Sequence, residues 1–271
     1  MQSRDDSEHL KNVQYKTADN LNARIQIHVL YNTNTYSVMN WQFDILLACA
    51  AVPAPRVLEI GCGTGALWTG NISRVPESWD ITLTDFSEGM LAETQSNLSD
   101  HSERFKYQQA DAQDLPFEDN QFDIVIANYM LYHVPDRPKA LREMRRVMQP
   151  GGHLHAMTNG AGHMGELKTL AANITGWSIQ NSPTTSAHFR LENGGIQLAH
   201  VFNHVQRIDF PCDLAVTDVQ HVLDYIASVE EGKNRLQDET TRQKIIDAVQ
   251  TQIDETGHFY IHKSTGLFIA R

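Results

Sequence analysis

The chain has 271 residues, 41% of them hydrophobic and 20% charged, enough for one large domain, or a domain with a cap, around a substantial core. Its net charge of -11 argues against a general polyanion binder, because neutralising phosphates takes clustered Lys and Arg. The three cysteines, Cys49, Cys62 and Cys212, have no C-x-x-C spacing, the polar amino terminus is no signal peptide, and no run approaches the ~18 apolar residues of a membrane span. A cytoplasmic protein that engages neither membrane nor nucleic acid is the expectation.

Residues 1–16 are polar and read as loose. A helix is predicted from Thr17 to Tyr31, with Leu21, Ile25, His28 and Val29 on one face, and Asn32-Thr33-Asn34 breaks it. A second helix from about Ser37 carries Val38, Trp41, Ile45 and Cys49 at helical spacing, and Pro53-Ala54-Pro55 leads into a first strand, Arg56 to Ile60. Short strands and helices then alternate. Strands are expected over Ile81–Asp85, Phe105–Ala110, Phe122–Ala127 and His153–Thr158. One helix is capped by Ser87, with Met90, Leu91, Thr94 and Leu98 inward; another starts at Asp136 and carries Leu141, Met144 and Met148. Such alternation implies a parallel sheet with right-handed crossovers.

The regularity stops after Asn159. A helix is expected over 162–175, ended by Gly176, then a loop over 178–187 and a strand from Val205 to Phe210. Helices are expected over Thr217–Val229 and Asp238–Thr256, with Gly257 as a C′ stop. The stretch Phe259–Ala270 reads as extended, bent at Lys263-Ser264-Thr265-Gly266, and is either one interrupted strand or two.

The most informative segment is Val57-Leu58-Glu59-Ile60-Gly61-Cys62-Gly63-Thr64-Gly65. An apolar run ending in three alternating glycines is a buried strand breaking into a tight turn, where glycine permits positive φ and close approach of a ligand. A helix follows at Ala66, so the loop sits in the crevice where open α/β sheets bind nucleotide-like ligands. Gly61, Gly63 and Ala66 also satisfy the dinucleotide pattern, with Asp85 downstream for a ribose, so an NAD-dependent oxidoreductase is a rival. Against it stand the extra glycine, Gly65, and Glu59, a carboxylate that would repel a pyrophosphate but suits a ligand carrying an ammonium and a sulfonium.

The segment resembles motif I of the class I S-adenosylmethionine-dependent methyltransferases, and the following segments match that pattern in order over 56–158. The resemblance implies a doubly wound, mostly parallel seven-stranded α/β sheet. It implies a helical lid over residues 1–50 and a core over 51–271, with cap-forming insertions near 160–202 and 213–256. The implied cofactor is S-adenosylmethionine, with S-adenosylhomocysteine as product. Glu59, Gly61, Cys62 and Gly63 would hold it from the loop, and Asp85 would accept its ribose hydroxyls. Phe86 and Met90 would flank the adenine, Asp111 (favoured over Asp114) and the Ala112 amide would bind its edge, and Asn128 and Tyr129 would face the methionine part. Cys62 is read as structural.

The acceptor is expected to be a small molecule, methylated on O, N or C and bound outside the core by Tyr31, Tyr36, Tyr132, His163 and Trp177. His133 and His163 are the candidates for a general base. His153-x-His155 puts two imidazoles on one strand face, but no third ligand stands at recognisable spacing, so no metal is expected. The basic residues Arg137, Lys139, Arg142, Arg145 and Arg146 read as a solvated helix face, and no G-x-S-x-G elbow supports a hydrolase. A monomer or homodimer is expected. The rival from another class is an S-adenosylmethionine-binding regulatory protein without turnover.

Overall fold

The computed structural model describes residues 19–176 and 188–271, with side chains from residue 25 onward. The expected loop over 178–187, Trp177 and the side chain of Leu21 therefore lie outside the described residues. Helix α1 spans Asp19–Tyr31 and α2 spans Val38–Cys49, whose first turn is closed by Ser37 Oγ accepting from Asn40 N at 3.0 Å. Then come β1 (Arg56–Ile60), α3 (Ala66–Thr69), β2 (Asp80–Asp85), α4 (Glu88–Asn97), β3 (Phe105–Gln109) and β4 (Phe122–Asn128). Helix α5 (Arg137–Val147) and β5 (Met148–Asn159) complete the regular part.

Beyond it lie α6 (Gly165–Thr175), α7 (Gly194–Ala199), β6 (Val205–Phe210), β7 (Leu214–Val216), α8 (Val219–Ala227) and α9 (Glu230–Arg235). Helix α10 (Glu239–Thr256), β8 (Phe259–Ile261) and β9 (Thr265–Ala270) end the chain. The caps follow the sequence: Ser87 and Asp136 accept from the amides of Met90 and Lys139, and Gly176 and Gly257 stop their helices at φ 67° and 86°.

The main sheet has seven strands in the order β3-β2-β1-β4-β5-β9-β6. All neighbours from β3 to β5 are parallel; β9 runs antiparallel between β5 and β6. Consecutive residues of a buried strand feed opposite layers, which is why the central strands β1 and β4 read as nearly unbroken apolar runs. Val57, Ile124 and Ile126 pack with Phe43, Leu46 and Trp68 on one side; Leu58, Val125 and Ala127 pack with Leu141 and Met144 on the other. The carboxyl ends of β1, β2 and β4 thus converge on one crevice at the reversal of strand order.

Several expectations change in three dimensions. Val29 is 72% exposed, and among the described side chains of α1 the buried one is Ile27. On α2 the stripe Val38, Trp41, Ile45 and Cys49 does pack, against Met157, Leu267 and Ile269, but Gln42, Phe43 and Leu46 are buried more deeply against a second layer. Met148 belongs to β5, where it pairs with Phe122 ahead of a register shift, so the strand begins five residues before His153. The carboxyl-terminal stretch is two strands in two sheets: β8 pairs with β7 in a separate ribbon, and β9 inserts into the main sheet.

A distinct apolar cluster joins α1, α6, α8, α10 and the β7–β8 ribbon through Ile27, Leu167, Leu214, Val222, Ile245 and Phe259. It stands beside the crevice rather than within the sheet layers. No helix among the described residues is long and apolar enough to cross a membrane.

Candidate active site

The loop after β1 is shaped by its glycines, Gly61, Gly63 and Gly65, at φ 71°, 58° and 74°. The turn is pinned from two sides. Cys62 N donates to Thr84 O at 2.9 Å, and Thr94 Oγ1 donates to Gly63 O at 2.6 Å. Asp85, at the end of β2, uses both oxygens to organise the rim: Oδ2 accepts from Gly63 N at 3.0 Å and Oδ1 from Ser87 N at 2.8 Å. Burial raises its pKa, and the backbone amides act in the opposite direction.

Beneath the loop runs a polar chain that crosses the sheet. Gln42 and Asn128 exchange two amide hydrogen bonds at 2.7 and 3.0 Å. Asn128 Nδ2 donates onward to Glu59 Oε1 at 3.2 Å, and Trp68 Nε1 donates to Glu59 Oε2 at 2.6 Å. Glu59 is 3% exposed, and burial pushes its pKa up to about 8 against the pull of these two donors. It is therefore a carboxyl poised to ionise when a cation arrives. Gln42 lies at i+4 from Val38, on the apolar stripe of α2, and its polarity gave no sign in the sequence of a buried partner.

Asp111 follows β3 and accepts from Gln113 N at 2.8 Å, an Asx turn that also leaves the carboxylate on the crevice wall. Asp114 is not on that wall. Tyr129 stands at φ 52° with its hydroxyl 2.9 Å from Thr265 Oγ1, and burial pushes its pKa up to about 12. Cys62 is buried with its thiol pKa raised, by burial and then by Asp85 and Glu59, so it is a packing residue and not a nucleophile.

These residues open on one cavity of about 950 Å³. Every expected cofactor-site residue lines it: Glu59 from β1, Gly61, Cys62 and Gly63 from the loop, Asp85 at the end of β2 with Phe86 and Met90 beyond it, Asp111 and Ala112 after β3, and Asn128 and Tyr129 at and after the end of β4. Of the expected acceptor contacts, Tyr132 and His163 line it as well, as does the base candidate His133, with the Tyr132 and His133 rings 4.4 Å apart.

Tyr31 and Tyr36 do not. The Tyr31 hydroxyl meets His221 Nδ1 at 2.9 Å, and exposed Tyr36 donates to Asp44, because the break between the helices turns both rings away from the crevice. Asn32 and Asn34 of the same break face it instead.

His163 Nδ1 accepts from Ser264 N at 3.3 Å, and burial beside His28, Lys263 and Lys168 keeps its pKa well below the ordinary value. A neutral imidazole that accepts at Nδ1 carries its proton on Nε2, so His163 offers a donor where a base was expected. His28, read from sequence as a core-face residue, lines the cavity with its ring 5.9 Å from that of His163. Lys168, Arg190 and Lys263 also line it and had no local sequence signal.

Residues 58–156 match the family model described as a methyltransferase domain. The Vibrio vulnificus ubiquinone/menaquinone biosynthesis C-methyltransferase UbiE is 40% identical over 117 residues, 42% of this chain and 45% of that protein. A Staphylococcus aureus demethylmenaquinone methyltransferase is 34% identical over 148 residues, 50% of this chain and 61% of that one. The chain thus spans about half the length of the curated relatives it matches. Phosphoethanolamine N-methyltransferase 2 of Haemonchus contortus shares the fold at a TM-score of 0.60 and 18% identity, covering 98% of this chain and 59% of that one. The YcgJ protein of Bacillus subtilis does so at 0.57 and 19%, covering 85% and 97%. The motif order and the sheet topology agree with these likenesses: residues 58–156 carry a methyltransferase domain, and the chain has the fold of the solved methyltransferase.

Proposed function

We propose that the protein transfers a methyl group from S-adenosylmethionine to an O, N or C atom of a small acceptor. The observation that carries this reading is the pair of carboxyls around the glycine loop, Asp85 at its rim and buried Glu59 at its floor, both facing the cavity. Asp85 suits the ribose, Asp111 the adenine edge, and Glu59 the cationic methionine end. The cofactor supplies an electrophilic methyl on sulfur. The chain's own residues orient it, exclude water and hold the acceptor, with α1 and the α6–α10 region as lid and cap. The likeness to the quinone methyltransferases lies in the shared core, which holds the cofactor and leaves the acceptor open.

Glu59 gives this reading its test. Its contribution to stability is present in full below its ordinary pKa of 4.5 and declines as pH rises, levelling off above about 8, because the folded chain binds the extra proton in that window. A bound ammonium or sulfonium favours the ionised form, so binding expels the proton. Calorimetric titration at pH 7 in buffers of different ionisation enthalpy is expected to show net proton release on binding S-adenosylmethionine. Affinity should rise up to about tenfold between pH 6 and 7 and flatten above pH 8. NAD, with its pyrophosphate, is expected not to bind. Proton-neutral binding would refute the role of Glu59, and tighter binding of NAD would refute the cofactor assignment.

A further inference from the structure

On the side of the cavity away from the glycine loop the charge reverses. Lys263 precedes Ser264, whose amide caps His163; His163 lies beside His28, and Lys168 and Arg190 continue the same wall. The electrostatic couplings link them in one series: Lys263 acts on His28 and His163, Lys168 on His163, and Arg190 on Lys168. The cavity's acids, Glu59, Asp85 and Asp111, all belong to the strand ends of the cofactor side.

Among the described residues, Lys168, Arg190 and Lys263 make no ion pair. The neighbouring acids are engaged off this wall: Glu192 accepts from the amide of Ala161, Glu166 from His262, and Asp213, whose charge acts on Lys263 from outside the cavity, accepts from the Lys263 amide and from Tyr260. Lys263 Nζ has only neutral partners, Asn32 Oδ1 at 2.9 Å and Cys212 Sγ at 3.6 Å. Burial lowers the pKa of both lysines. Three cations gathered in a half-buried wall, in a chain of net charge -11, call for an anion.

We propose that the methyl acceptor carries an acidic group, a carboxylate or phosphate, held by Lys168 and Arg190 with Lys263 beside them. The proposal rests on the methyltransferase reading for the word acceptor, while the anion site stands on the wall itself. The wall adjoins Thr265, which bonds Tyr129 at the methionine end, so an acid seated there leaves the rest of the acceptor facing the methyl.

The test titrates protein saturated with S-adenosylhomocysteine with phenyl phosphate, phenylacetate and, as neutral control, benzyl alcohol. At least one acid is expected to bind and benzyl alcohol not to. The double variant Lys168→Gln, Arg190→Gln should weaken the acid about tenfold or more and leave S-adenosylhomocysteine affinity within about twofold, the scale of a lost charge-assisted bond. Lys168→Arg should retain binding. Binding of neither acid, equal binding of the alcohol, or a parallel loss of S-adenosylhomocysteine would overturn the proposal, the last by assigning the cations to the cofactor's own carboxylate. Labelled-methyl transfer into a small-molecule extract tests the activity separately: acid binding without transfer would defeat the methyltransferase reading alone.

A second, independent observation lies under α2, away from the cavity. His153 and His155 point from β5 toward Cys49, and the three donor atoms lie within 4.8 Å of one another. The imidazoles are 3% and 0% exposed, and none of their four nitrogens has a hydrogen-bond partner among the described residues, although the Cys49 and Gly151 carbonyls act weakly on His153. Buried polar atoms without partners are rare enough to need a ligand or a reason.

We infer that Cys49, His153 and His155 form a zinc site, with water as fourth ligand on the half-buried Cys49 side. Ligands around a tetrahedral zinc stand roughly 3.3–3.6 Å apart, so binding draws the side chains inward and the Cys49 thiol gives up its proton to form the sulfur–zinc bond.

Cobalt(II) is the probe. The full chain is expected to bind one equivalent, with a thiolate-to-cobalt charge-transfer band that Cys49→Ser abolishes and Cys212→Ser preserves. His155→Leu, which keeps the core apolar, should weaken cobalt more than about tenfold. No band, or a band indifferent to Cys49→Ser, would refute the site.

Discussion

Asp85→Ala is expected to weaken S-adenosylmethionine binding by about 1.5–3 kcal/mol, the scale of hydrogen bonds to a charged group, or roughly 10–150-fold in Kd. The carboxylate does two jobs. It presents lone pairs to the cavity, and it fixes the loop by accepting from Gly63 N and Ser87 N. Alanine removes both, so the loop amides lose their acceptor at the moment the ligand loses its own. Asp85→Asn separates the two roles. Its one remaining carbonyl oxygen can hold a single amide, and the loss should be smaller. Titration calorimetry of both variants gives the comparison, and wild-type affinity in Asp85→Ala would remove the ribose assignment.

Gly61→Ala is expected to cost about 2–5 kcal/mol of stability, combining a left-handed backbone for a non-glycine residue with overpacking. Gly61 sits at φ 71°, and a Cβ there would stand 2.9 Å from Met130 Cβ, an atom that cannot swing aside as a flexible tip can. Met130 lines the cavity, so whatever shift relieves the clash also disturbs the cofactor side. For a chain of this size the loss corresponds to a fall in Tm of roughly 4–20 °C. Gly151→Ala is the control. Its φ is 83°, but nothing lies within 4 Å of the added Cβ, so only the backbone strain of about 1–2 kcal/mol applies. Thermal unfolding of the two variants separates strain from collision, and equal Tm values would show that the contact with Met130 does not matter.

The parts of this protein legible in its sequence are those decided by local chemistry. Short apolar or alternating runs and caps marked β1 to β5 and the helices between them, because strands buried on both faces, such as β1 and β4, write themselves as nearly unbroken hydrophobic segments. The glycine-loop side of the cavity was legible because its residues sit within a step or two of a strand's carboxyl end: Glu59 and Gly61 on either side of the end of β1, Asp85 at the end of β2, Asp111 after β3 and Asn128 at the end of β4. Strand order then brings those ends together.

What only the tertiary structure decided depends on partners far apart in the chain. Tyr31 and Tyr36 flank the expected break yet turn outward, whereas His28, Lys168, Arg190 and Lys263 arrive at one wall from four separate segments. Gln42 reaches Asn128 across 86 residues, and Cys49 meets His153-x-His155 from a helix a hundred residues upstream. Spacing within a segment reports which face a side chain takes; it holds no record of which distant face will be laid against it. That choice is made when the sheet, α2 and the carboxyl-terminal strands pack together, and it determines the acceptor wall.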